Sequence, residues 1–240
     1  MRQRAVETGV LGVREETPTV RSIRVPRPPA LRWVAGQHAS VGLATPAGVE
    51  RRLLSIASSP LRDEMWFASA RGSSTFKRAF FALAEGGSVQ VAAPEGDFVL
   101  DPDAASHVLL TEGIGVTAAL GILEYAMDAR LPQRFALVYA AADPREFVFA
   151  DRIDALAAAR PGWSVVYTVT EPKEHDLAWP EFGGRVGRID ADLVSTVAPP
   201  DGRTTYYASG PRKTVERLRE TLLSLDVPEA RIRQEVFLGY

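Results

Sequence analysis

The pattern of this chain changes once, at Asp101-Pro102-Asp103, and that change limits the folds open to it. Before it, short β-rich runs recur: TVRSIRV ending at Val25, HASVGLA (38–44), RRLLSIAS (51–58), MWFASA (65–70) and SVQVAAP (88–94). Strands at this spacing, separated by Gly, Pro and charged turns, predict a small barrel or sandwich. One helical stretch interrupts them. In SSTFKRAFFALAEGG, Ser73, Ser74 and Thr75 are possible caps, Phe76, Ala79, Phe80 and Leu83 form an apolar stripe, and Gly86-Gly87 stop the helix. After residue 103, strand-like HVLLTE, FALVYAA, WSVVYTV, TTYYAS and RIRQEVF alternate with helix-like TAALGILEYAMDA, REFVFADRIDALAAA, DADLVSTV and PRKTVERLRETLLSL. Such alternation predicts a parallel sheet covered on both faces. Two domains are expected, 1–102 and 103–240, with the longest irregular piece at 171–184.

Composition narrows the chemistry. With 240 residues and 46% hydrophobic content, the chain can bury a sizeable core. A net charge of −2 offers no basic surplus for nucleic acid or anionic lipid. Having no cysteine excludes disulfides, thiolate nucleophiles and protein-held iron–sulfur clusters. The N-terminal MRQRAVETGV lacks a signal-peptide run, and no segment reaches the roughly 18 apolar residues of a membrane span, so a cytoplasmic location is expected. His38, His107 and His175 are far apart, show no metal spacing and read as structural or surface residues. No G-x-S-x-G elbow is present.

Four stretches remain as candidates for chemistry. In Gly113-Ile-Gly115-Val-Thr117-Ala118, a G-x-G-x-x-A pattern follows a strand and opens a helix. Glycines there permit close approach of backbone to a ligand, and the helix start offers free N–H groups and a positive dipole. The same pattern also fits an ordinary strand-to-helix turn; its place on the first strand of the α/β half points it toward a nucleotide. In RLLSIASSP, Arg52 shares a strand face with Leu54, while Ser55 points the other way unless the strand bends. Arg52 suits an anion, or lies with Arg51 in water on an edge strand. In YASGPRKTVERL, Ser209-Gly210 turn after a strand and Pro211 fits the first helical position. In QEVFLGY, Phe237 and Tyr240 flank the chain's end beside Glu235, an arrangement met more often in core packing than in a ligand platform.

In order and spacing, Arg52-Leu-Leu-Ser55, Gly72-Ser-Ser-Thr75, Pro94-Glu-Gly-Asp-Phe98, Gly113-Ile-Gly-Val-Thr117, Gly184-Arg-Val-Gly-Arg-Ile189, Ser209-Gly-Pro211 and Glu235-Val-Phe237 resemble the ferredoxin–NADP reductase family of flavin oxidoreductases, over nearly the whole chain. The resemblance implies a six-stranded antiparallel flavin-binding β-barrel followed by an α/β doubly wound NAD(P)-binding domain. It implies FAD, in preference to FMN, as cofactor and NAD(P)H as substrate. By the same resemblance Arg52 holds the flavin pyrophosphate, with Leu54 and Ile56 on the flavin-contacting strand. Ser55 hydrogen-bonds near flavin N5, and Gly72, Ser73, Ser74 and Thr75 complete the phosphate site. Gly113, Gly115 and Thr117 receive the dinucleotide, and Ser209, Gly210 and Pro211 line the nicotinamide. Glu235 lies near the reacting rings and Phe237 stacks on the flavin; Ser55, Ser209 and Glu235 are the implied catalytic residues.

The implied activity is hydride transfer from NAD(P)H to FAD and electron delivery to a separate acceptor: a ferredoxin, a flavodoxin, an oxygenase component or a small molecule. The alternative is a flavin-binding electron-transfer or regulatory module with little NAD(P)H turnover. Four departures motivate that alternative. The family usually has an aromatic where Leu54 stands, cysteine at Ser209, proline at Ala118 and a small residue at Glu112; a basic residue is also common near Ala142. Glu112 raises a specific question. At 5 Å from a phosphate charge and an effective dielectric of 20, its carboxylate costs about 3 kcal/mol. It either turns away to pair with an arginine, is protonated and faces a ring, or weakens dinucleotide binding.

Overall fold

The computed structural model describes residues 5–172, 184–198 and 201–237. The N-terminal half holds β1 (Val6–Gly9), β2 (Gly12–Glu15), β3 (Val20–Pro26), β4 (His38–Thr45), β5 (Gly48–Ser55), β6 (Glu64–Ala70), α1 (Thr75–Ala82) and β7 (Ser88–Glu95). These strands form antiparallel sheets in the orders β1-β7-β4-β5 and β2-β3-β6. The sequence pattern alone does not reveal β1 and β2. They are two parts of one strand that changes sheet at Val10–Leu11. Val10 N–H donates to Gly87 O at 2.8 Å and Leu11 N–H donates to Arg24 O at 2.7 Å. Counted so, the expected six strands are present. The far side closes where Ala57 N–H donates to Trp66 O at 2.9 Å.

Alternation explains the barrel's filling. Ile23 and Val25, Ala39, Val41 and Leu43, Met65 and Phe67, and Val89 and Val91 all point inward and are buried. Helix α1 plugs one end with Phe76 and Phe80, and Ser74 caps it by accepting from Lys77 N–H at 3.2 Å.

The C-terminal half holds β8 (Ser106–Glu112), α2 (Val116–Asp128), β9 (Arg134–Ala141), α3 (Ala150–Ala158), β10 (Ser164–Val169), β11 (Arg185–Val186), α4 (Ala191–Val197), β12 (Thr204–Pro211), α5 (Arg212–Ser224) and β13 (Ile232–Phe237). Its six strands are all parallel, in the order β11-β10-β9-β8-β12-β13. Strands such as β9 are buried on both faces, which is why they read as unbroken apolar runs. Three details differ from the sequence reading. Helix α3 starts at Ala150, after a left-handed Phe149 (φ 61°), rather than near Arg145. Ser209-Gly210 is not a turn: it pairs in β12, opposite Glu235 and Val236 of β13. Pro211 is the residue before α5 rather than its first turn. Most of the expected 171–184 loop, with His175, lies outside the described residues.

The halves share a core. Val20, Ala35, Ala57 and Ala68 of the barrel pack with Phe98, Ile122, Leu123 and Tyr207. The approach is close because Gly121 has no side chain: a Cβ there would lie 2.3 Å from Ile56 O. Beside it, Arg62 of the barrel holds Asp128 of α2 with two contacts of 2.8 Å and reaches Glu124 Oε2 at 2.6 Å. Arg152 of α3 binds the other oxygen of Glu124 and stacks 4.3 Å from the Trp66 ring. The Glu124 side chain is fully buried, so these two guanidinium groups neutralise it at the junction.

Candidate functional site

Strand order sets the site. Successive strands run outward from β8 toward β11, and then the chain returns to β12 on the other side of β8. The crevice between β8 and β12 is the switch point at which open α/β sheets receive ligands. The Gly113–Gly115 turn ends β8 there, with Gly113 at φ 58°. Gly115 presses on the end of β12: a Cβ would lie 2.6 Å from Ser209 O. Ser209 Oγ donates to Gly115 O at 3.1 Å and is fully buried. Thr117 Oγ1 donates to Ile114 O at 2.9 Å and is also buried. These two hydroxyls therefore shape the turn; neither side chain is open toward a ligand in this structure.

Glu112, at the lip of the turn, points away. Its Oε2 lies 3.1 Å from Arg217 Nη2 on α5, whose Nη1 donates to Ile189 O at 2.7 Å. Of the three explanations for this acid, pairing with an arginine is the one observed.

A cleft of about 470 Å³ opens between the halves. Arg52, Leu54 and Ser55 of β5 line one wall, Ser74 and Lys77 of α1 lie at one end, and Glu235 and Phe237 of β13 form the opposing wall. Strand β5 does not keep strict alternation. Arg51, Arg52 and Leu53 are exposed in succession, while Leu54, Ser55 and Ile56 are buried in succession. Arg52 reaches over the Phe76 ring at 5.5 Å and donates to Arg51 O at 2.7 Å. Ser55 Oγ is buried and has no hydrogen-bond partner among the described residues. A buried hydroxyl without a partner carries a desolvation cost, and this one opens on the cleft.

The remaining sequence-derived residues divide. Ile56 turns its side chain into the barrel core and gives its N–H to Gln37 O at 3.0 Å, so it does not line the cleft. Gly72, Ser73 and Thr75 adjoin the α1 start without lining the cleft, and the Thr75 hydroxyl is taken by Glu50. Gly210 and Pro211 stand opposite Val236 and Phe237. The β12–β13 ladder thus links the switch point to the cleft.

Among the lining residues outside the sequence-derived set, three polar ones bear on the chemistry. Ser69 lines the cleft. Lys77, one turn into α1, supplies a second cation near Arg52; desolvation lowers its pKa. Its position just past a capped helix start was a usable signal. His38, read as structural or surface, lines the cleft, and its Nδ1 lies 2.9 Å from Glu235 Oε1. That hydrogen bond raises its pKa, against partial burial. No local pattern could pair residues 197 positions apart. His107 is structural as read: it stacks on Phe135 at 4.7 Å, and burial lowers its pKa to about 4. Among the described residues there is no cluster of metal-ligating groups, and no helix is long and apolar enough to cross a membrane.

Known proteins agree with this geometry. Residues 109–220 match the oxidoreductase NAD-binding domain. The flavohemoprotein of Pseudomonas putida is 28% identical over 211 residues, 87% of this chain and 52% of that protein. The chain spans about half the length, or less, of the flavohemoproteins it matches. Among solved structures, a Neisseria gonorrhoeae ferredoxin NADP+ reductase with bound FAD and NADP superposes with a TM-score of 0.84 at 21% identity, covering 97% of this chain and 98% of that one. The FAD/NAD-binding domain of a Vibrio cholerae nitric oxide dioxygenase gives 0.83 at 22% identity, covering 99% of both. With its antiparallel sheets, its six-stranded parallel sheet and the oxidoreductase NAD-binding match within the latter, the chain has the two-domain fold of these flavin reductase structures.

Proposed function

We propose that the chain is an NAD(P)H-dependent flavoprotein reductase that holds FAD in the cleft and passes electrons to a separate acceptor. The barrel, residues 1–102, is the flavin-binding domain in this reading, and residues 103–240 take the nicotinamide dinucleotide. The observation that carries it is the partnerless Ser55 hydroxyl, buried in a cleft with Arg52 and Lys77 at one end and Phe237 on the facing wall. That donor set suits a flat, partly apolar ring with an anionic tail.

When bound, the flavin supplies hydride acceptance and one- or two-electron release. The chain's residues do the rest. Arg52 and Lys77 bind phosphate charge. Ser55 donates its hydroxyl to the ring's edge. Phe237 covers the ring and excludes water. The N–H groups of the Gly113–Gly115 turn meet the dinucleotide's pyrophosphate, while Ser209, through Gly115, keeps that turn in place. With Glu112 paired to Arg217, one of the four departures that favour a non-catalytic module has another explanation. With no cysteine, an iron–sulfur acceptor centre belongs to a partner such as a ferredoxin; a flavodoxin, an oxygenase component or a small molecule serves equally as acceptor in this reading.

The test is anaerobic titration of the flavin-loaded protein with NADH and, separately, NADPH, following oxidised-flavin absorbance. Prompt bleaching by either is expected. Reduction by dithionite alone would restore the module reading.

A further inference from the structure

The pairing of His38 with Glu235 has a consequence for the end of the chain. Strand β13 is the edge of the six-stranded sheet, with β12 on one side only. Its residues Glu235 to Phe237 pair with β12 on that side and line the cleft beside the barrel. What meets them there is His38 of β4, whose Nδ1 lies 2.9 Å from Glu235 Oε1. Both side chains are 16% exposed, so the contact is partly shielded from water. Two residues further on, Phe237 lines the same cleft and packs against the core shared by the two halves. We propose that His38 is a positioning residue: by gripping Glu235 across the junction it anchors the terminal strand and so sets how firmly Phe237 covers the cleft.

The grip is titratable. The groups facing His38 are Glu235 on β13 and Glu95 on β7, both of which favour the charged imidazole. Arg51, Arg52 and Lys77 stand in the same cleft. The imidazole sits beside Gly96, where an added Cβ would lie 3.0 Å from its Cε1 and crowd the ring. Because its pKa lies above the ordinary 6.5, the ionic link is whole below that value and weakens as pH rises through the folded pKa. Phe237 is then firmly seated at low pH and looser at high pH. The role of Phe237 as a cover for flavin rests on the reductase reading; the anchor itself does not.

The experiment places 4-fluorophenylalanine at position 237 of the full chain and follows its fluorine resonance from pH 5.5 to 9, without flavin and with it. In the wild-type background the resonance is expected to move sigmoidally, with a midpoint above 6.5. In both His38→Gln and Glu235→Gln that titration is lost. A wild-type resonance that does not move, or one that moves equally in His38→Gln, overturns the proposal. A second arm measures NAD+ binding to the flavin-loaded protein. Affinity is expected to rise about fivefold across the same window, and to stay constant in His38→Gln and in Phe237→Ala. If the fluorine titration is as expected but no dinucleotide binds, the anchor stands and the reductase reading falls.

Discussion

Glu112 and Arg217 form an ion pair at 3.1 Å that turns a carboxylate away from the crevice between β8 and β12. The two side chains are only 28% and 26% exposed, so the pair is less screened than a surface bridge. Removing the arginine frees a negative charge at the lip of the turn that meets pyrophosphate. At about 5 Å and an effective dielectric of 20, repulsion is about 3 kcal/mol per charge pair; solvent lowers this toward 1 kcal/mol. Arg217→Met is therefore expected to raise the KM for NAD(P)H about tenfold or more, with flavin affinity unchanged. Glu112→Gln in the same chain restores it. Stopped-flow reduction of the flavin-loaded variants decides: a KM that Glu112→Gln does not rescue would mean that the pair serves only stability.

Ser55 gives opposite effects on folding and on activity. Its buried, partnerless hydroxyl is a liability in the flavin-free protein, at about 1–3 kcal/mol for such a group. Ser55→Ala is expected to raise the melting temperature of the flavin-free protein and to slow flavin reduction by about tenfold to a hundredfold, the loss of one directed hydrogen bond in the transition state. A variant that is destabilised without flavin would show that the hydroxyl is satisfied in solution.

Much of this was legible in the sequence, and what was not has a common cause. The barrel strands from β3 on, and most of the βα alternation, are local periodicities and lie within a few residues of their expected places; the two-residue β11 leaves no such signature. Strands β1 and β2 are short, partly exposed and bent, so they leave no alternating signature. Of the residues that line the cleft, Arg52, Leu54, Ser55, Ser74, Glu235 and Phe237 stand in the motifs read from the sequence. His38 and Lys77 belong to no motif, and their place depends on a fold that brings β4, α1 and β13 to one cleft. Ser209 and Thr117 were legible as residues but not in orientation. Each finds a carbonyl within hydrogen-bond reach, which no spacing rule reports.

Gly121 is where the halves come closest. Alanine is favoured over glycine inside a helix by about 1 kcal/mol, so Gly121→Ala gains that much from α2 alone. Against it stands a Cβ 2.3 Å from Ile56 O, a clash with backbone on a strand that also carries Ser55. Forcing a side chain into such a contact costs about 1–3 kcal/mol or more. The clash prevails, and net destabilisation of about 1–2 kcal/mol is expected by urea unfolding, with slower flavin reduction because the two half-sites are pushed apart. Equal stability to wild type would mean that the junction yields freely.

Asp143 and Arg145 bear on the choice of dinucleotide. Arg145 Nε donates to Asp143 Oδ1 at 2.8 Å, and its Nη2 lies 2.5 Å from Oδ2. They follow β9, next to the Gly113 strand, where the adenosine ribose is expected. Removing the carboxylate turns this cation toward a 2′-phosphate. Asp143→Ala is expected to raise the kcat/KM ratio of NADPH over NADH at least fivefold, about 1 kcal/mol. An unchanged ratio would remove these two residues from the ribose site.

Arg62 contributes to the acid limb of stability through Asp128. Its two 2.8 Å contacts are the largest cause of the lowered pKa of Asp128. A carboxylate with a depressed folded pKa contributes stability that is present above the ordinary 3.8 and is lost as pH falls through the folded value. Arg62 also neutralises fully buried Glu124, jointly with Arg152. Arg62→Met removes both contacts, so it is expected to cost about 3 kcal/mol near neutral pH, where an unpaired buried charge is most expensive. As pH falls and Asp128 protonates, the gap between variant and wild type narrows. Urea midpoints from pH 7 down to pH 3 test this; a constant gap across that range would assign the cost to packing against the junction instead of to charge.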